Sequence, residues 1–149
     1  MISETWNVYW SEYSADTYLY GSKIEYKSRT EVHFTNEQMP PATVIKRWYS
    51  KTNFQQTRVE PTLPMIDGEG SYELAMSIDK KPDEEILIRL VFYDKYDNEV
   101  GNLIVRDPVE AFKCPMPTYS YCMELINGGV SDFVFHYIQI RELVDEQEK

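Results

Sequence analysis

Apolar residues recur along this chain at every second position far more than at every third or fourth. In "ILIRLVFY", Ile86, Ile88, Leu90 and Phe92 share one face, while Leu87, Val91 and Tyr93 share the other with Arg89. Side chains of an extended strand alternate faces. Two largely apolar faces therefore predict a central strand buried on both sides. "SYELAMSI" sets Tyr72, Leu74, Met76 and Ile78 against Ser71, Glu73, Ala75 and Ser77, the pattern of a half-buried strand with one polar face. "FVFHYIQI" and "TYSYCMELI" predict two more strands near the C-terminus. "KIEYKSRTEVHF" and "TVIKRWYS" supply the earlier part, with "TWNVYW" as an edge strand.

Turn signals separate these runs: "NEQMPPA", "EPTLPMIDGEG", "DKKPDE", "RDPVEAFKCPMP" and "NGGVSD" are rich in Pro, Gly, Asn and Asp. Pro40, Pro41, Pro115 and Pro117 cannot sit inside a central strand, because each lacks a ladder donor. Gly128–Gly129 reads as a hairpin-type turn. No segment carries a 3.6-residue apolar stripe. The best helical candidate is "RELVDEQEK", an acidic, flexible tail over residues 141–149. Roughly eight short strands with evenly spaced turns predict an all-β fold. The expected architecture is one antiparallel β-sandwich domain of jelly-roll type spanning residues 1–149.

Composition narrows the function. Asp and Glu number 25 against 15 Lys and Arg, a net charge of -10. Phosphate backbones and anionic membranes repel such a surface, so neither is an expected partner. No stretch approaches the roughly 18 apolar residues of a membrane span. "MISETWNVYW" has no basic start followed by an apolar run, so no secretion signal is expected there. Cys114 and Cys122, the only cysteines, are then expected as reduced thiols in the cytoplasm. A disulfide across "CPMPTYSYC" is geometrically open but unsupported.

Chemistry is sparse. There is no G-x-S-x-G elbow, no Cys-His signature and no zinc spacing. His33 in "EVHF" and His136 in "VFHY" alternate with apolar neighbours, the setting of structural histidines. "LVFYDKYDNEVGNLIV" brings Asp94, Asp97, Asn98 and Glu99 together, as hard cations prefer. Counted from Asp94, however, Tyr96 takes the third position of a helix–loop–helix calcium loop and Glu99 the sixth, where glycine is required. The segment reads instead as a hairpin, with Asp97–Asn98 at the turn. No catalytic residue, metal or cofactor is expected.

Aromatics are the remaining feature, at 14% with 12 Tyr. Trp6, Tyr9, Trp10 and Tyr13 cluster at the start, and Phe133, Phe135 and Tyr137 alternate near the end. Core filling and cross-strand pairing account for most of them. The excess predicts an exposed contact surface for a partner or substrate, with Trp48, Tyr49, Tyr119, Tyr121 and Tyr137 as its candidates.

Three stretches carry a family likeness: "YGSKIEYKS", "FTNEQMPPATVIKRWYSKTNFQQTRVEPTLPMIDGEGSYEL" and "LIRLVFYDKYDNEV". The Met39–Pro40–Pro41 loop, "VIKRWYSKTNFQ" and the "PTLP" at 61–64 are its most distinctive parts. From Tyr20 to Ile140 the sequence resembles the small third "Asp" proteins (accessory secretory proteins) of the accessory Sec system of streptococci and staphylococci. The resemblance implies a fold similar to a carbohydrate-binding module and a cytoplasmic protein, recruited to a membrane-bound translocon. It implies a non-catalytic subunit supporting export of a serine-rich repeat adhesin. The implied partners are a glycosyltransferase-like and an acetyltransferase-like accessory protein, a SecA-type motor and the adhesin polypeptide. The alternative is a free-standing, lectin-like carbohydrate-binding module. A small jelly-roll hydrolase ranks last, for want of a nucleophile, base or metal set.

Overall fold

The computed structural model describes residues 2–10, 17–50, 63 and 70–143. Among them run ten strands: β1 (Ile2–Val8), β2 (Lys23–Ser28), β3 (Glu31–Thr35), β4 (Val44–Tyr49), β5 (Ser71–Lys80), β6 (Ile86–Tyr93), β7 (Glu99–Val105), β8 (Val109–Lys113), β9 (Ser120–Asn127) and β10 (Asp132–Leu143). All pairings are antiparallel and build two sheets. The six-stranded sheet runs β2-β3-β10-β5-β8, with β1 also on β10; the four-stranded sheet runs β4-β9-β6-β7. β10 is long enough to take two partners on one side. Its first half pairs with β3 at Phe133↔Phe34, and its second with β1 at Trp6↔Ile140. This is the antiparallel sandwich that the alternation predicts.

The inner faces form the core. One aromatic group joins Trp10 to Phe34, Phe133, Phe135 and Trp48, with centroids 5.4–6.4 Å apart. A second joins Tyr72, Phe112, Phe92 and Tyr121. Offset and edge-on packing of this kind adds to plain area burial. A bulge between Val44 and Lys46 breaks the alternation of β4 and buries Ile45 and Lys46 in succession. Lys46 Nζ donates to Thr17 Oγ1 at 2.9 Å and lies 5.3 Å from the Trp10 ring centroid, so its charge meets a hydroxyl and an aromatic face.

Several segments depart from the sequence reading. "KIEYKSRTEVHF" folds back on itself as the β2–β3 hairpin, with Tyr26 opposite Val32. "RDPVEAFKCPMP", read as a turn, contains β8. That strand forms because β5 offers it a ladder, and because Phe112 is buried in the core. Gly128–Gly129 is not a hairpin: β9 and β10 belong to different sheets. The chain crosses the sandwich there, with Gly129 at φ 117, a conformation only glycine adopts cheaply. Arg141–Leu143, assigned to the tail and its helix, complete β10 instead, and Arg141 pairs with Glu73. Residues 144–149, Tyr13 and most of the "PTLP" stretch lie outside the described residues.

The hairpin expected at "DKYDNEV" is present between β6 and β7. Asp97 takes φ 65, and Asp94 Oδ1 accepts from the backbone amides of Tyr96 (2.8 Å) and Asn98 (3.0 Å). The Asn98 amide, and then that of Tyr96, hold the Asp94 carboxyl below its usual range. The acidic tip is thus used by its own turn. Both histidines sit in polar pairs: His33 Nε2 with Glu31 at 2.9 Å, and His136 Nε2 with Asp79 at 2.8 Å. Neither cysteine forms a disulfide, and both thiols are buried.

The Met39–Pro40–Pro41 loop owes its shape to two buried asparagines. Asn36 Oδ1 accepts from the amides of Gln38 and Met39, and its Nδ2 donates to Tyr20 O. Asn127 Nδ2 donates to Pro40 O at 3.0 Å, while its Oδ1 accepts from the amides of Gly129 and Val130. Ala42, at φ 67, donates its amide to Asn127 O.

Candidate docking face on the four-stranded sheet

The outer faces of the two sheets differ in kind. That of the six-stranded sheet is polar and internally paired: His136 with Asp79, Arg141 with Glu73, Gln139 with Asn7, and Thr35 with Asp132. Such a face suits water. The outer face of the four-stranded sheet is built from Val44, Arg47 and Tyr49 of β4, Cys122, Glu124 and Ile126 of β9, Leu87, Arg89, Val91 and Tyr93 of β6, and Asn102 and Ile104 of β7. It is largely apolar, and all eight residues of β9 are buried.

A charged row crosses its centre. Register places Arg47, Glu124, Arg89 and Ile104 side by side on four strands. Arg47 Nε donates to Glu124 Oε2 at 2.9 Å and Arg47 Nη2 lies 2.6 Å from the same oxygen. Arg89 Nε and Nη2 both lie 2.6 Å from Oε1. Each carboxylate oxygen thus accepts from two nitrogens of one guanidinium, so both oxygens are held by charge-assisted hydrogen bonds. Glu124 is 3% exposed, whereas the arginine side chains are 39% and 42% exposed. The row carries one net positive charge, and its guanidinium edges reach the surface. Burial opposes the charge on Arg47, but hydrogen bonding to Glu124 and then Tyr49 outweighs it and drives its pKa up. Nearby, burial and then the Cys122 thiol raise the Tyr93 phenol to about 12, and burial raises the thiol itself.

Of the five aromatic candidates, the structure brings only Tyr49 and Tyr119 to the surface of this sheet. Tyr49 is half-buried beside Cys122, and Tyr119 is 63% exposed, with its amide donating to Tyr93 O at 2.7 Å. Trp48 and Tyr121 are corrected: each is 2% exposed. Trp48 stacks on Phe135 and donates its Nε1 to Tyr9 O, and Tyr121 stacks on Phe92. Both alternate onto the inner face, where large rings gain most by leaving water. Tyr137 is half-buried in β10 of the other sheet, next to a bulge, and does not join the set.

The sequence reading passed over Arg47, Glu124 and the role of Arg89. The available signal was charge inside three apolar runs: a single residue in "SYCMELI" and in "ILIRLVFY", and the Lys46–Arg47 pair in "VIKRWY". Charges so placed are seldom buried without a partner. Among the described residues, no group of three or more His, Cys, Asp or Glu is placed to hold a metal ion. Nor is any helix there long and apolar enough to cross a membrane.

This architecture is that of a carbohydrate-binding-module-like β-sandwich. The chain overlays part of a chain that holds the CBM22-1 and GH10 modules of Clostridium thermocellum endo-1,4-beta-D-xylanase 10B, with TM-score 0.52 at 11% identity, over 87% of this chain and 26% of that one; the likeness is one of fold alone. A family model described as "Accessory Sec secretory system ASP3" matches residues 17–142, and the chain belongs to that family. It is 36% identical over 130 residues to the accessory Sec system protein of this same ASP3 type from Streptococcus gordonii, covering 87% of this chain and 82% of that one. It overlays a chain of the Glycosylation Associate Protein (Gap123) complex from Streptococcus agalactiae with TM-score 0.86 and 30% identity, over 96% of this chain and 46% of that one. A chain in the structure of accessory secretory proteins 1, 2 and 3 of Streptococcus pneumoniae gives TM-score 0.86 at 24% identity, over 97% of this chain and 100% of that one. The chain therefore spans about half the length of the S. agalactiae chain that it matches.

Proposed function

We propose that this protein is a non-catalytic subunit of an accessory Sec complex in the cytoplasm. It docks on larger accessory proteins, one glycosyltransferase-like and one acetyltransferase-like, and helps hold a serine-rich repeat adhesin polypeptide for a SecA-type motor at the translocon. The observation that carries this reading is the overlay of 96% of the chain on a chain of the Gap123 complex at 30% identity. The outer face of the four-stranded sheet supports it as the docking surface, being largely apolar with a half-exposed, net positive row at its centre. Interface cores favour arginine and aromatic residues set among apolar ones. Coexpression with accessory secretory proteins 1 and 2, followed by size exclusion, tests the reading. Co-elution is expected, and separate elution of a folded chain counts against it.

A free-standing carbohydrate-binding module needs an exposed aromatic platform. Trp10 and Trp48 are buried in the core, which weakens that alternative. Calorimetry with N-acetylglucosamine-bearing and bare serine-rich peptide separates the two, since only a lectin prefers the sugar.

A further inference from the structure

The charged row on the four-stranded sheet is unfinished at one end. Charge alternates through Arg47, Glu124 and Arg89, but on β7 the register sets Ile104 beside Arg89 where a second acid would continue the pattern. Arg89 uses Nε and Nη2 on Glu124. Among the described residues its remaining amino group, Nη1, meets no acceptor, and the side chain is 42% exposed. The acid of β7, Glu99, lies 3.4 Å from Asn102 Nδ2 and forms no ion pair with Arg89. Arg47, at the other end, also bonds Tyr49.

Apolar side chains surround the open edge of Arg89. Ile104 is 42% exposed, and half-buried Leu87 lies on the same face. A guanidinium is more weakly hydrated than an ammonium, and its planar fork of donors matches a carboxylate. Arginine set among apolar groups is the composition of an interface centre.

We infer that this end of the row is a receptor for one carboxylate side chain, carried on an apolar patch of a larger accessory protein, which completes the alternation beside Arg89. The inference rests on the reading of this chain as a docked subunit. Local charge selects the occupant. Two guanidiniums and one carboxylate leave the row one net positive charge, which attracts a single acid and repels a basic segment. A nucleic acid or an anionic membrane presents many charges at once and meets the whole chain, whose net charge is -10. A second copy meets the same repulsion.

The test leaves the row intact and changes its neighbour. Ile104→Glu places a carboxylate beside Arg89, which satisfies the guanidinium from within and repels an incoming acid. Ile104→Lys, of similar reach, adds attraction instead. Residue 104 is exposed, so both variants should fold, as thermal unfolding checks. Binding to accessory secretory proteins 1 and 2 is read by biolayer interferometry. Wild-type binding is expected to weaken about tenfold or more in Ile104→Glu, with Ile104→Lys at least about tenfold tighter than Ile104→Glu. Two variants that match each other, weakened or not, overturn the inference and leave the subunit reading standing. Tighter binding by Ile104→Glu than by Ile104→Lys does the same, by giving the site to a base. A wild-type dimer that Ile104→Glu dissolves gives it to a second copy, and anionic-vesicle binding lost in that variant gives it to a phosphate; either overturns the inference. A wild type that binds neither accessory protein defeats the subunit reading and the inference together.

Discussion

Arg89 Nη2 on β6 lies 2.6 Å from Glu124 Oε1 on β9, at a carboxylate that is 3% exposed in the middle of its sheet. Arg47 holds the other oxygen from β4. Removing either arginine leaves Glu124 one counter-charge; removing both strands a buried carboxylate, which costs about 3–5 kcal/mol. Arg47→Ala and Arg89→Ala should each cost about 1 kcal/mol and the double variant about 4 kcal/mol, more than their sum. Urea denaturation of the three variants measures this, and an additive double would mean that water reaches Glu124.

The Met39–Pro40–Pro41 loop depends on Asn127, which bonds Pro40 O and two following amides. Asn127→Ala takes the acceptor from the amides of Gly129 and Val130, whereas Pro40 O keeps the Thr43 hydroxyl at 2.6 Å. A loss of about 2–4 kcal/mol is expected, whereas Glu37→Ala on the exposed side of the same loop should stay within about 0.5 kcal/mol. Thermal unfolding of both variants decides it.

His136 stands between two acceptors: Nε2 faces Asp79 at 2.8 Å, and Nδ1 faces Thr30 O at 2.7 Å. Only the imidazolium can donate to both. The hydrogen bond to Asp79, then that to Thr30, raises its pKa above the ordinary 6.5. A raised folded-state value means stability that is complete below the unfolded pKa and is lost as pH rises through the folded one. The protein should weaken modestly between about pH 6 and 8, and His136→Gln should flatten that slope. NMR titration of the ring gives the pKa directly; a value at or below 6.5 would refute the account.

Burial, then the Cys122 thiol, lifts Tyr93 to about 12, and burial raises the thiol too. Thiolate is the reactive form. Cys122 should therefore react with a disulfide reagent at about pH 8 far more slowly in the folded chain than in urea. Rapid labelling of the native protein would show that this face opens.

Much of the sandwich was legible in the sequence. The alternation in "SYELAMSI" and "ILIRLVFY" marks β5 and β6, and the Asp94–Asn98 turn follows from short polar side chains that bond their own backbone. β8 was not legible, because a short strand after Asp107–Pro108 exists only where β5 offers it a ladder. The Arg47–Glu124–Arg89 row was legible only as charges scattered over three apolar runs.

The sequence by itself determined which segments are extended and which side chains share a face, since alternation is a property of each strand alone. Tertiary structure decided which strands are neighbours and which face meets the core. That choice buried Trp48 and Tyr121, sent Gly128–Gly129 across the sandwich, joined Glu124 to arginines 77 and 35 residues away, and put β7 last in the order of its sheet among the described residues. The reason is physical: ladder bonds and ion pairs between strands join residues far apart in the chain, and no local pattern encodes the partner.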